Sequence, residues 1–484
     1  MNTNQTLKEL SKIPISLPKI LTEERISTYQ IQNTYLNFNY AATQITPAIL
    51  EAFQNLADEK KVIQKYSNLV AGDIVNQSEQ RAVQHHLTRT PLNINDYTNF
   101  CEQVRSGEYR GHTGHRFESI VQVGIGGSDL GPRAVCDALI HSGITPSFTP
   151  YFLANIDPAE WHDILSKINL ETTLFIIVSK SGTTQETCSN LALIQSIFNE
   201  KKHFISVTMP GTPFDNPEKF AHCFHMDETI GGRFCVTSAG GGVLLSLLFG
   251  STHFEHFLKG AYALDQNAKE QNILKNMSLL AALIGLWNRT YLNLPELAIV
   301  PYGTAFEWWP LYLQQLFCES LGKSIDINQN PLQQQVSPIV FGSIGSCAQH
   351  AYFQQLHQGQ IPIPVHFIAA KMPEKINQND EEIAYNMLLK NMSAQIIALA
   401  STNRPSTLVQ CAQLTPETLG ALVAFYENIV MFQGFLWEIN AFDQPGVELG
   451  KTLVKDTNIT TQEQKLITTY LSLFSNTKPR KNTV

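Results

Sequence analysis

The sequence predicts an α/β fold: two parallel sheets with helices on both faces, plus a helical N-terminal extension and a C-terminal tail. Three observations carry that expectation. Short apolar runs of strand length recur at helix-length intervals from about Glu118 onward. Two of them end in small-residue turns, Gly124-Ile-Gly-Gly-Ser128 and, in degraded form, Phe341-Gly-Ser-Ile-Gly-Ser346, so two related halves are expected. The first hundred residues, rich in Asn, Gln and Thr, lack the pattern.

In chain order, residues 47–66 carry helical periodicity within a segment that reads as an extension wrapped on a core. Strands are expected at 119–123, 147–153, 173–178 and 203–208, each separated by helical length, which argues a parallel sheet covered on both faces. A long helical passage at about 252–289 leads to a second series, with strands at 297–300, 338–341 and 363–368. An amphipathic run at 306–317 closes on Glu319. The expected division is 1–100 for the extension, 101–262 for a smaller domain, 263–450 for a larger one and 451–484 for a C-terminal arm, with 475–484 a frayed polar end.

The 484 residues suffice for two or three domains, and 43% hydrophobic with 16% charged residues is ordinary globular composition. A net charge of -8 provides no broad basic field for nucleic acid, so an anionic substrate needs local donors. The segment Met1-Asn-Thr-Asn-Gln-Thr-Leu-Lys-Glu-Leu10 has no apolar core and is not read as a signal peptide. The apolar stretches at 243–249 and 279–287 are too short to span a bilayer. Eight scattered cysteines fit reduced thiols in a cytoplasmic protein. His85-His86 and His253-Phe-Glu-His256 lack i,i+4 ligand spacing, and no metal is expected.

Three segments carry candidate chemistry. Gly124-Ile-Gly-Gly-Ser-Asp-Leu-Gly131 follows a strand and precedes a helix, where peptide N–H groups favour an anion. It is not a dinucleotide fingerprint, because Asp129 stands where the last glycine belongs. Ser179-Lys-Ser-Gly-Thr-Thr-Gln-Glu-Thr187 crowds hydroxyl and ammonium donors at a helix start and suits a phosphate monoester. The same residues also allow an ordinary capping box, with Thr183 three before Glu186. Glu319-Ser-Leu-Gly-Lys-Ser324 contains Gly-Lys-Ser, but Phe317 and the preceding helix rule out a nucleotide P-loop. Glu319 is either a general base at the end of a mostly apolar helix or a surface glutamate. Arg233, after two glycines, is a candidate to face a cleft, and His350 is either a catalytic imidazole or a satisfied core histidine.

These pieces, with the segment Gly434-Phe-Leu-Trp-Glu-Ile-Asn-Ala-Phe-Asp-Gln-Pro-Gly-Val-Glu-Leu-Gly-Lys451, occur in the order found in glucose-6-phosphate isomerases, and the chain resembles that family from about Arg110 to Lys451. The resemblance implies two sugar-isomerase-type (SIS) three-layer αβα domains and a homodimer. It implies interconversion of D-glucose 6-phosphate and D-fructose 6-phosphate through a cis-enediolate, a step of glycolysis and gluconeogenesis, with no metal, no organic cofactor, no nucleic acid and no membrane. Carried over by position, Ser179, Lys180, Ser181, Thr183 and Thr184 bind the phosphate, and Gly127, Ser128, Gln315 and Gln444 contact the sugar. Glu319 is the base, Arg233 stabilises the enediolate, and His350 and Lys451 serve ring opening, with His350 reaching the site from the partner subunit. Leu321, Pro445 and Cys347-Ala348 depart from common family residues and touch turn geometry more than reaction type. Two other readings stay open: a non-catalytic sugar-phosphate-binding protein, and an aldose–ketose isomerase that also accepts mannose 6-phosphate.

Overall fold

A computed structural model describes residues 2–90, 95–371, 379–447, 450, 453 and 460–474. The chain divides into two compact units, Met1–Ala441 and Phe442–Val484. In the first unit the described strands build two sheets. Strands β1 (Gln30–Gln32) and β2 (Leu36–Asn39) precede β3 (Ser119–Val123), β4 (Thr149–Leu153), β5 (Thr173–Val178), β6 (Phe204–Thr208) and β7 (His222–His225). Then come β8 (Glu296–Tyr302), β9 (Ile339–Gly342), β10 (Val365–Ala370) and β11 (Ser406–Cys411).

The five-stranded sheet runs β4-β3-β5-β6-β7 with every neighbouring pair parallel. Strand order reverses between β3 and β5, so their C-terminal ends frame the crevice where ligands of such sheets bind. The glycine-rich turn at 124–128 leaves β3 there, and the hydroxyl-rich loop at 179–184 leaves β5. All six positions of β5 are buried, as expected for a strand covered on both faces. Trp161, Leu191 and Ile194 from flanking helices pack on one face with Val121, Phe175 and Ile177.

The second sheet runs β1-β2-β11-β10-β8-β9, and β8 to β11 are mutually parallel neighbours. The N-terminal extension adds β1 and β2 antiparallel at one edge, with Phe38 opposite Val409. Those two strands, β7 and β11 go beyond the strands expected from sequence. Each is short or half polar: β1 is Gln-Ile-Gln, and β11 is Ser-Thr-Leu-Val-Gln-Cys. Such runs lack the continuous apolar signal that marks β5.

The helix Pro416–Trp437 is the central element of this half. Its 22 residues are long and apolar enough to cross a membrane by length and composition, yet 94% of its most apolar 18-residue stretch is buried within the protein. Thr415 caps it, its side chain accepting from Thr418 N, and Glu438 in the left-handed region (φ 58) ends it. It crosses the helix Ser251–Asn267 at Gly420 and Gly260. A Cβ on Gly420 would lie 1.8 Å from Phe257 O, and one on Gly260 would lie 1.7 Å from Glu417 O, so the two backbones touch. Nearby, the buried Arg89 guanidinium bridges Asp265 (Oδ1, 2.5 Å) and Glu427, anchoring the short helical turn His85–Arg89. The His85 ring stacks on Phe234 at 4.8 Å, beside Arg233.

Candidate active site

Arg233 lies in the 3-10 turn Gly232–Thr237, with its side chain wholly buried. Its fork is held from several sides: Nε donates to Ser320 Oγ (2.7 Å), Nη2 donates to Ala441 O (2.6 Å), and Nη1 lies 3.3 Å from Glu319 Oε1. A planar guanidinium held at several points is a preorganised cation rather than a mobile surface charge.

Glu319 sits in the last turn of the helix Trp309–Leu321. That helix buries Trp309, Leu313, Leu316 and Phe317 on one face and stops at Gly322. Gln315 and Glu319, four apart, share a helix face; Gln315 Nε2 accordingly donates to Glu319 Oε2 at 2.9 Å. The Glu319 side chain keeps 21% exposure while Arg233 keeps none, so the carboxylate faces outward from a fixed cation.

The glycine-rich turn closes on the same cluster. Gly126 adopts φ +61, and a Cβ there would lie 3.1 Å from Gln315 Nε2. At Gly127 a Cβ would lie 2.2 Å from Gly232 O, so the turn and the Arg233 segment meet backbone to backbone. Cys235 Sγ donates to Gly127 O (3.3 Å), and Gln122 Nε2 donates to Ser128 O (2.8 Å). Burial pushes the Cys235 thiol up to about 12, which keeps it protonated and donating.

The loop after β5 gathers hydroxyls. Ser179 Oγ and Thr184 Oγ1 are 2.8 Å apart, and Thr183 donates to Ser181 Oγ through both N (3.2 Å) and Oγ1 (2.9 Å). Ser181 and Thr183 are exposed. Helix Gln185–Gln195 begins after Thr184, whose side chain makes no capping bond, so the Thr183–Glu186 capping box does not form. Lys180 Nζ donates to Glu228 O and Ile230 O, both at 2.7 Å, leaving its third N–H. Burial holds this ammonium below the usual lysine range. Ile230 directly precedes the Gly231-Gly232 pair, so one short segment ties the Lys180 loop to Arg233.

His350 follows the short helix Gly345–Gln349 after β9 and is exposed. The neighbouring Gln349 is fixed by Tyr302 OH (2.6 Å) and Asn391 Oδ1 (2.5 Å). Gln444 belongs to the second unit, just before the 3-10 turn Pro445–Val447. Lys451, like Glu448, lies outside the described residues. Sequence reasoning passed over Ser320 and the Ala441 carbonyl, which both accept from Arg233; neither carries a signal of its own beyond adjacency to a motif.

Comparison with known proteins follows the same lines. The phosphoglucose isomerase family model matches residues 39–403 and 401–476. The glucose-6-phosphate isomerase of Treponema denticola is 41% identical over 470 residues, covering 89% of each chain. That of Protochlamydia amoebophila is 37% identical over 519 aligned residues, 99% of this chain and 94% of the relative. Among solved structures, a glucose-6-phosphate isomerase from Chlamydia trachomatis superposes with a TM-score of 0.90 at 33% identity, covering 98% of this chain and 99% of that one.

Proposed function

The chain belongs to the phosphoglucose isomerase family, whose members interconvert D-glucose 6-phosphate and D-fructose 6-phosphate, and from that premise we propose how its own residues carry this aldose–ketose isomerisation. The observation that supports the reading best is the pairing of buried Arg233 with the outward-facing Glu319 carboxylate, with Gln315 on the other oxygen.

The phosphate docks on Ser179, Lys180, Ser181, Thr183 and Thr184, where hydroxyls and the remaining Lys180 N–H replace its hydration shell. Binding this remote group supplies the energy that orients the reacting carbons. Gly127, Ser128, Gln315 and Gln444 contact the sugar. His350 and Lys451 move the proton between O1 and the ring oxygen, which opens the ring. Glu319 takes the C2 proton of the open-chain aldose, and the electron pair passes to the carbonyl oxygen, giving a cis-enediolate beside Arg233. A proton passes from O2 to O1, and the same carboxylate then returns the first proton to C1, which leaves the carbonyl at C2 and gives the ketose. Acid–base transfer by a positioned group contributes about 10²- to 10⁴-fold, and a preorganised cationic donor on the order of 3 kcal/mol.

The reading includes a homodimer with His350 supplied across the interface, which the exposure of that residue supports. It includes metal independence and a cytoplasmic setting, the latter supported by eight cysteines scattered singly along the sequence. It also keeps the four-part division at 100, 262 and 450, supported by each sheet drawing all its parallel strands from one part.

Conversion of fructose 6-phosphate to glucose 6-phosphate in EDTA, coupled to a dehydrogenase, tests the proposal. Wild type is expected to turn over, and Glu319→Gln to lose about 10²-fold or more. A folded, dimeric wild type without turnover would favour the sugar-phosphate-binding reading instead.

A further inference from the structure

Two buried side chains with no place in the chemistry above hold the glycine-rich turn after β3. Gln122 stands in a strand whose five positions are all buried, and is itself 1% exposed. Its Nε2 donates to Ser128 O at 2.8 Å, while its Oε1 has no partner among the described residues. A buried amide costs stability unless it is bonded, and the bond this one makes goes to the turn. Cys235, two residues past Arg233 and 3% exposed, donates from Sγ to Gly127 O at 3.3 Å.

The peptide groups of the turn can be followed one by one. The Ile125 and Gly126 carbonyls accept from Ser128 N (3.2 Å) and Asp129 N (3.0 Å). The Gly127 and Ser128 carbonyls accept from Cys235 and Gln122. The N–H groups of Gly126 and Gly127 are left, with no partner among the described residues. Both glycines are half-buried, and Gly126 lies against Gln315, whose amide reaches Glu319, so these donors stand beside the candidate base. Glycine rotates its peptides with little steric resistance. The two side chains thus supply restraints that the backbone of the turn does not.

We propose that Cys235 and Gln122 are positioning residues: by holding the Gly127 and Ser128 carbonyls they fix the turn so that the Gly126 and Gly127 N–H groups donate to oxygens of the bound sugar phosphate. This rests on the reading above that Gly127 and Ser128 contact the substrate. In this role neither side chain touches the reacting atoms. Donors of this kind bind the substrate and its transition state alike, so losing their orientation acts on KM more than on kcat.

The test compares wild type with Cys235→Ala, Cys235→Ser and Gln122→Met, in fructose 6-phosphate turnover and in hydrogen–deuterium exchange of the turn. Loss of one neutral hydrogen bond should raise KM about three- to tenfold in Cys235→Ala and in Gln122→Met, with a smaller change in kcat. Cys235→Ser, which keeps a donor, should return KM toward the wild-type value. A lowered melting temperature in Cys235→Ala with KM unmoved would mean packing alone and overturn the inference, as would a KM in Cys235→Ser as poor as in Cys235→Ala. Fructose 6-phosphate should also slow exchange across residues 124–128 in wild type, and less so in Cys235→Ala and Gln122→Met. Slowing in wild type, with wild-type KM in both of those variants, would sink the positioning role and leave the isomerase reading standing. No slowing in wild type would take the turn out of the substrate site and overturn the inference at its premise. The Cys235 and Gln122 arms are independent, so if one variant fails to fold the other decides.

Discussion

At the scale of the residue, Asp129 gives the first prediction. It closes the glycine-rich turn, is buried, and accepts from Arg133 Nε (2.9 Å) with Nη2 at 2.7 Å. Burial outweighs that cation and pushes the carboxyl up to about 6. An unfolded aspartate titrates near 3.9, roughly two units lower. Between about pH 4 and pH 6 the folded chain therefore holds a proton that the unfolded chain releases, so this group's contribution to stability falls as pH rises through that window. At neutral pH, ionised Asp129 costs on the order of 2–3 kcal/mol. Thermal melts at about pH 4.5 and pH 7.5 should show a larger gain on acidification for wild type than for Asp129→Asn; equal gains would remove Asp129 from the account. The same scale shows what could be read in advance. The Gln315–Glu319 contact was legible because four residues make one helical turn. The partners of Arg233 were not, because Ser320 and Ala441 lie 87 and 208 residues further along the chain.

At the scale of the element, helix propensity and packing disagree at the crossing of Ser251–Asn267 with Pro416–Trp437. Alanine is a better helix former than glycine by about 1 kcal/mol. A Cβ at position 420, however, would meet a backbone oxygen at 1.8 Å, which no side-chain rotation relieves. Overpacking of this kind costs about 1–3 kcal/mol and occasionally more. Packing wins, and Gly420→Ala should lower the melting temperature; a raised one would show that the crossing yields freely. The long apolar strands were legible from their runs, β5 above all. The edge pair β1–β2 was not, since two short Asn- and Gln-containing strands gain their place only by pairing with β11, a partner far along the chain.

At the scale of the molecule, the proposed cross-subunit His350 has a consequence that single variants do not reveal. Under the proposed roles, Glu319→Gln and His350→Ala should each disable every site in their own homodimers. In a mixed dimer under that arrangement, one site collects both lesions and the other collects none. Co-expression of the two inactive chains should therefore restore turnover well above either alone, with at most one working site per mixed dimer. Activity no higher than the parents would place His350 in the same subunit as its Glu319. The two-sheet plan and the order of the motifs were legible because they are local patterns repeated along the chain, whereas a site shared between two chains leaves no local mark. The close approach of Gly127 to Gly232 matters in another way. At Gly127, where one peptide rests directly on another, mutation has no side chain to exchange and no room to add one, whereas Gly232 has open space for a Cβ. A drug that took its hold from the peptide groups at Gly127 would face a target with few routes to resistance at the point of contact, and escape would have to come from side chains elsewhere, such as the exposed Ser181 and Thr183.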